Sequence, residues 1–139
     1  MNVWWVYALL SAFFAALTAI LSKVGIRGID TDLATAIRTV VILITAWGIA
    51  WSRGSLETMG SLSKNNLLFL FFSGLATGLS WIFYFKALQL GRVSQVAPVD
   101  KLSVAIAIVL SAVFLKETLD VKTIVGALLI IAGTFVLIF

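Results

Sequence analysis

The sequence predicts an all-α integral membrane protein with five transmembrane helices, and three observations predict it. Of 139 residues, 62% are hydrophobic and 12% charged, whereas a soluble domain averages about 45–50% apolar and about 25% charged. Five runs of mostly apolar residues occur, each of about 20 residues, the length that crosses a hydrocarbon core of about 30 Å. The runs are continuously apolar rather than alternating, which excludes a β-barrel.

The first span covers residues 3–22. Its start, Met1-Asn2-Val3-Trp4-Trp5, lacks basic residues, and Lys23 stands where a small-residue cleavage site would be. It therefore reads as a retained helix rather than a signal peptide. Trp4, Trp5 and Tyr7 form an interfacial aromatic belt. Span two covers 33–51, with Asp32 at its N-cap and Trp47 and Trp51 anchoring its far end. Span three covers 67–88, and span four 97–115 with Pro98 in its first turn, where a missing N–H costs little. The last span, 123–139, ends with the chain, so Phe139 is expected near an interface. The connectors 23–32, 52–66, 89–96 and 116–122 are short, so residues 1–139 read as a single transmembrane domain.

Composition also removes whole classes of chemistry. The chain has no His and no Cys, which excludes a Ser-His-Asp triad, a Cys nucleophile and the usual zinc ligand sets. No metal or cofactor is expected. A net charge of +4 would suggest nucleic acid in a soluble protein. In a membrane protein the same excess belongs to the loops, and the bilayer is the partner. Asp100 is the one acid well inside a span, too little for intramembrane catalysis, so no enzyme is expected.

Five crossings place the termini on opposite faces, here the N-side and the C-side. Arg53, Lys64, Lys116 and Lys122 fall on the N-side, and Lys23, Arg27 and Arg92 on the C-side. Loop Lys and Arg set orientation, and this near-tie allows insertion both ways up as well as one weakly biased topology.

Small and polar side chains mark where membrane helices pack or face a cavity. Ala8, Ser11, Ala15, Thr18 and Ser22 share a face of span one. Thr35, Arg38, Thr39 and Thr45 lie on one side of span two. In span three, Ser73, Thr77, Trp81 and Tyr84 form a face beside the Gly74 and Gly78 pair, and span four offers Pro98, Ser103, Ala107 and Ser111. Span five carries an uncharged ridge of Gly126, Ala127, Gly133 and Thr134, which suits packing at a dimer interface.

Charges inside spans cost about 2.5–3.5 kcal/mol each at the bilayer centre, so each needs an explanation. Arg38, Lys86, Asp100 and Lys101 fall at the C-side end of the bundle, Arg38 deepest at roughly 9 Å past Asp32. Snorkelling of the bases, with Asp100 complementing a helix dipole and pairing with Arg38 or Lys86, is one account. The other is a site, because Arg38 shares its face with three threonines. Three bases against one acid would attract a carboxylate or phosphate and repel a lipophilic cation.

From span three onward the chain resembles an EamA-like domain of the drug/metabolite transporter superfamily. The residues that carry the resemblance are Gly78-Leu79-Ser80-Trp81-Ile82-Phe83-Tyr84-Phe85-Lys86-Ala87-Leu88, Gly91, Val96-Ala97-Pro98, Leu115-Lys116-Glu117, Gly126 and Gly133. The first half matches in layout, through the 23–25 exit from span one and Arg38. Asp100-Lys101-Leu102-Ser103 after the Ala-Pro step is similar to the single-domain bacterial and archaeal branch.

The resemblance implies one half of a 5+5 inverted-repeat transporter, completed by dimerisation. Inverted repeats place the substrate near the midplane. The resulting expectation is a multi-pass inner-membrane secondary transporter of a small polar, anionic or zwitterionic metabolite, working as an antiparallel homodimer. Its cavity would be lined by Thr18, Arg38, Thr39, Thr77, Trp81, Tyr84 and Ser103, with Lys86, Asp100 and Lys101 at the mouth. An accessory subunit of another membrane protein and a passive dimeric channel are the alternatives.

Overall fold

The computed structural model describes residues 3–138; Met1, Asn2 and Phe139, with the interfacial placement expected of Phe139, lie outside the described residues. The described residues are helical with no strand. In order come α1 (Trp4–Gly25), α2 (Thr31–Ser52), a 3-10 helix (Ser55–Ser61), α3 (Lys64–Leu90), α4 (Val93–Asp100), α5 (Leu102–Phe114) and α6 (Val121–Ile138). Five candidate spans result, with α4 and α5 together making the fourth.

Contacts divide the chain into two compact units: residues up to Ile20 with those from Leu90 onward, and Leu21–Gln89. In the Leu21–Gln89 unit, α1 ends at Gly25 and the chain turns through Gly28, whose φ of 72° is left-handed and suits glycine. The N-cap of α2 is Asp30, not the expected Asp32. Its carboxylate accepts from the N–H groups of Asp32 at 2.9 Å and Leu33 at 3.1 Å, which leaves Asp32 within the first turn. The Lys23 ammonium donates to the Leu88 carbonyl, and the Gln89 amide donates to the Ile29 carbonyl at 3.1 Å. These bonds tie the end of α1 and the turn before α2 to the end of α3. The unit's buried residues, Ile26, Thr31, Thr35, Phe85 and Leu88, all lie in segments at this same end.

The other unit corrects three expectations about span four. The connector is two residues, 91–92, because α4 already begins at Val93. Pro98 is consequently the sixth residue of α4 rather than part of its first turn. An interior proline removes a hydrogen bond and crowds the preceding turn. The helix breaks soon afterwards, at Lys101. Asp100 closes α4 rather than sitting in a first turn, so it does not complement the dipole of α4 as expected. At about 1.5 Å per residue it lies roughly 10 Å along the helix axis from Val93. The break is covered from α6, where buried Thr134 donates to the Ile130 carbonyl at 2.8 Å and approaches the Pro98 carbonyl at 3.2 Å.

Asp120 caps α6. It accepts from the Thr123 N–H at 2.9 Å and from the Thr123 hydroxyl, and these bonds hold its carboxyl below the usual aspartate range. A lowered folded-state pKa contributes stability above the unfolded value, and that contribution is lost as pH falls through the folded value. Asp120→Ala should therefore lower the melting temperature at neutral pH, with the gap to wild type closing on acidification. Melting curves of both proteins in detergent from neutral pH to below the aspartate range check this.

Candidate functional site: an arginine held on two rings

Arg38 sits two turns into α2, half-buried, in the Leu21–Gln89 unit. Its guanidinium carbon lies 4.4 Å from the centroid of Trp81 and 5.2 Å from that of Phe85. The two rings are one turn apart on α3, so the i, i+4 spacing places both beside the same cation. Both distances fall within the roughly 6 Å reach of a cation–π contact. Phe85 is 1% exposed, and half-buried Tyr84 stands next to it with ring centroids 6.3 Å apart. Among the described residues Arg38 has no carboxylate partner. The charge is held by aromatic faces, which leaves the N–H edge of the guanidinium as a donor fork.

Threonines flank this group on the same helices. Thr39 donates to the Thr35 carbonyl at 2.8 Å, Thr35 to Thr31 at 2.8 Å, Thr45 to Val41 at 2.8 Å and Thr77 to Ser73 at 2.9 Å. Each hydroxyl proton is thereby committed to its own helix, and the oxygens keep lone pairs for an outside donor. Lys86 is exposed on α3.

The remaining expected site residues belong to the other unit. Thr18 is half-buried beside buried Ala19 on α1, and Ser103 is exposed in the first turn of α5. Asp100 pairs with its neighbour Lys101 at 3.2 Å, instead of the expected pairing with Arg38 or Lys86. On α6, Gly126 and Ala127 are half-buried and Gly133 is exposed. A Cβ added at Gly126 or Gly133 would meet nothing within 4 Å. Thr134 is buried and directed at Pro98, so its side chain is used within the chain.

Phe85 is the member of the group that sequence reasoning missed. The signal was its position one turn after Trp81, which continues the face of Thr77 and Trp81. An apolar ring in an apolar span is otherwise indistinguishable from one that faces lipid.

Five long apolar helices define a multi-pass membrane protein. The chain belongs to the EamA-like transporter family, which matches residues 2–139. It is also 46% identical over 134 residues to a protein of Sinorhizobium sp named "Uncharacterized transporter in cobO 3'region". That match covers 96% of this chain and 95% of the relative. No solved structure matches. The protein is thus a membrane protein of a transporter family, as its span-three motifs implied.

Proposed function

We propose that the protein is a secondary transporter that carries a small polar, anionic or zwitterionic metabolite across the inner membrane as an antiparallel homodimer. The observation that carries this reading is Arg38, a cation inside a span with rings on its face and no carboxylate partner among the described residues. A buried charge in a membrane helix is costly unless something compensates it. The planar donor edge matches a carboxylate or phosphate, which would supply that compensation during transport. Asp100, inside the span and paired with Lys101, is the carboxylate available for coupling to an ion.

Four further facts support pairing with a second copy. Eight of the described residues are buried, so one chain covers little of its own helix surface. The relative from Sinorhizobium is matched along 95% of its length, so it has nearly the same size as this chain. Gly126, Ala127 and Gly133 offer a ridge on α6 that a partner helix can approach closely. The near-tie in loop charge permits the two copies to insert in opposite orientations. In this reading the two units act as one transmembrane domain, the copies rock about a shared midplane site, and Thr18, Thr39, Thr77, Trp81, Tyr84 and Ser103 line the route beside Arg38, with Lys86 at its mouth.

Purified protein is screened by thermal shift against amino acids, carboxylates and phosphorylated metabolites, and hits are tested in proteoliposomes. Saturable uptake with counterflow supports a carrier. Flux that rises linearly with concentration would instead indicate a channel, and inert protein an accessory subunit.

A further inference from the structure

The Leu21–Gln89 unit contains a second feature, at the opposite end of α2 from Arg38, that this proposed transport leaves unused. The 3-10 helix Ser55–Ser61 runs seven residues, longer than such helices usually persist without support. With three residues per turn, positions three apart share a face. Leu56, Met59 and Leu62 therefore make an apolar stripe, and Ser55, Thr58 and Ser61 a separate polar one. The polar stripe satisfies itself: Thr58 donates to the Ser55 carbonyl at 2.7 Å and Ser61 to the Thr58 carbonyl at 2.7 Å.

Gly54, at a left-handed φ of 69°, turns the chain so that the 3-10 helix lies against the end of α2. Between them is a cleft of about 300 Å³, walled by Ala46, Trp47 and Ala50 on one side and, on the other, by the apolar stripe together with Ser55 and Thr58. That volume is at the lower bound of ordinary ligand sites, which run from about 300 to 1,000 Å³ and are mostly apolar. Met59 is 53% and Leu62 40% exposed, so the wall is not closed by the protein itself.

Charge supplies the other half of the argument. Arg53, the C-cap of α2, and Lys64, the first residue of α3, stand at the two ends of this segment, and both are exposed. Glu57 offsets one of them, leaving the segment net positive. Trp47 and Trp51 mark the level as the membrane interface, where tryptophan is enriched.

We propose that this cleft is a binding site for an anionic phospholipid, with an acyl chain between Trp47 and the Leu56, Met59 and Leu62 stripe and the phosphate at Arg53 and Lys64. The site is independent of Arg38 and of the transported substrate.

The test is native mass spectrometry of the purified protein with equal amounts of phosphatidylglycerol and phosphatidylcholine of matched chains. Wild type should retain phosphatidylglycerol in about fivefold excess, the preference expected for two basic groups partly offset by one acid. Replacing both exposed bases, Arg53→Gln with Lys64→Gln, should remove the preference without touching any buried residue. Ala46→Phe, which fills the cleft, should lower retention of both lipids at least to half, with helix content unchanged by circular dichroism. Equal retention of the two lipids by wild type overturns the proposal. So does an undiminished preference in the double variant, or undiminished retention in Ala46→Phe.

Discussion

Arg38→Ala should abolish the proposed saturable transport in proteoliposomes while the protein remains folded. The reasoning starts from the side chain's surroundings: the guanidinium lies 4.4 Å from Trp81 and 5.2 Å from Phe85, with no carboxylate partner among the described residues. Removing it leaves no buried anion unpaired in the protein, so the penalty falls on substrate recognition. Losing one partner of a desolvated charge pair costs about 2–5 kcal/mol, on the order of a hundredfold or more in transport at low substrate concentration. Arg38→Lys keeps the charge but loses the planar fork and its stacking, and should recover only a fraction of the activity. Initial rates of counterflow, read beside elution profile and helix content, separate recognition from folding. Full transport by Arg38→Ala would reduce Arg38 to a structural cation.

Phe85→Ala has the largest expected effect on stability. Phe85 is 1% exposed at the end where Lys23 and Gln89 tie α3 to the segment before α2. Truncating a buried phenylalanine typically costs about 3–5 kcal/mol through lost contacts and a residual cavity. In a membrane the lower part of that range applies, because hydrocarbon supplies no hydrophobic drive between helices and only packing is lost. The same change strips one ring from Arg38. Phe85→Leu restores most of the volume without the ring, so it should regain much of the stability and less of the transport. Unfolding in denaturing detergent, followed by tryptophan fluorescence, gives the stability ranking of the three proteins.

The number of spans was legible because the bilayer imposes it: a chain must offer about 20 apolar residues for each crossing. Helix ends were less legible. Val93, Ser94 and Gln95 are helical although polar residues surround them, since a helix continues past the apolar run wherever its backbone bonds are satisfied. That extension alone moves Pro98 from a harmless first turn to an interior position, and puts Asp100 at the end of a helix rather than in a first turn. The choice between Asp30 and Asp32 as cap depends on which carboxylate reaches the free N–H groups, a matter of backbone angle that two nearby aspartates do not reveal.

At the candidate site, Arg38, Trp81 and Tyr84 were readable from residue type and helical spacing. Phe85 was not, because hydropathy assigns the same value to a ring over a cation and a ring in lipid. Thr134 shows the converse problem. Its place in a small-residue ridge suggested an outward packing face, yet it is buried, with its hydroxyl bonded to the Ile130 carbonyl and close to that of Pro98 next to the broken helix.

The central claim is that the working transporter contains two copies of this chain in opposite orientations, and the absence of cysteine allows a direct test. A single cysteine placed at exposed Glu117 is treated with a membrane-impermeant thiol reagent from outside intact cells, and again after the membrane is opened. The account predicts that about half of the copies react from outside and the remainder only after opening, the even split expected when loop charge gives almost no bias. Reaction of every copy in a single step, from either side, would contradict it.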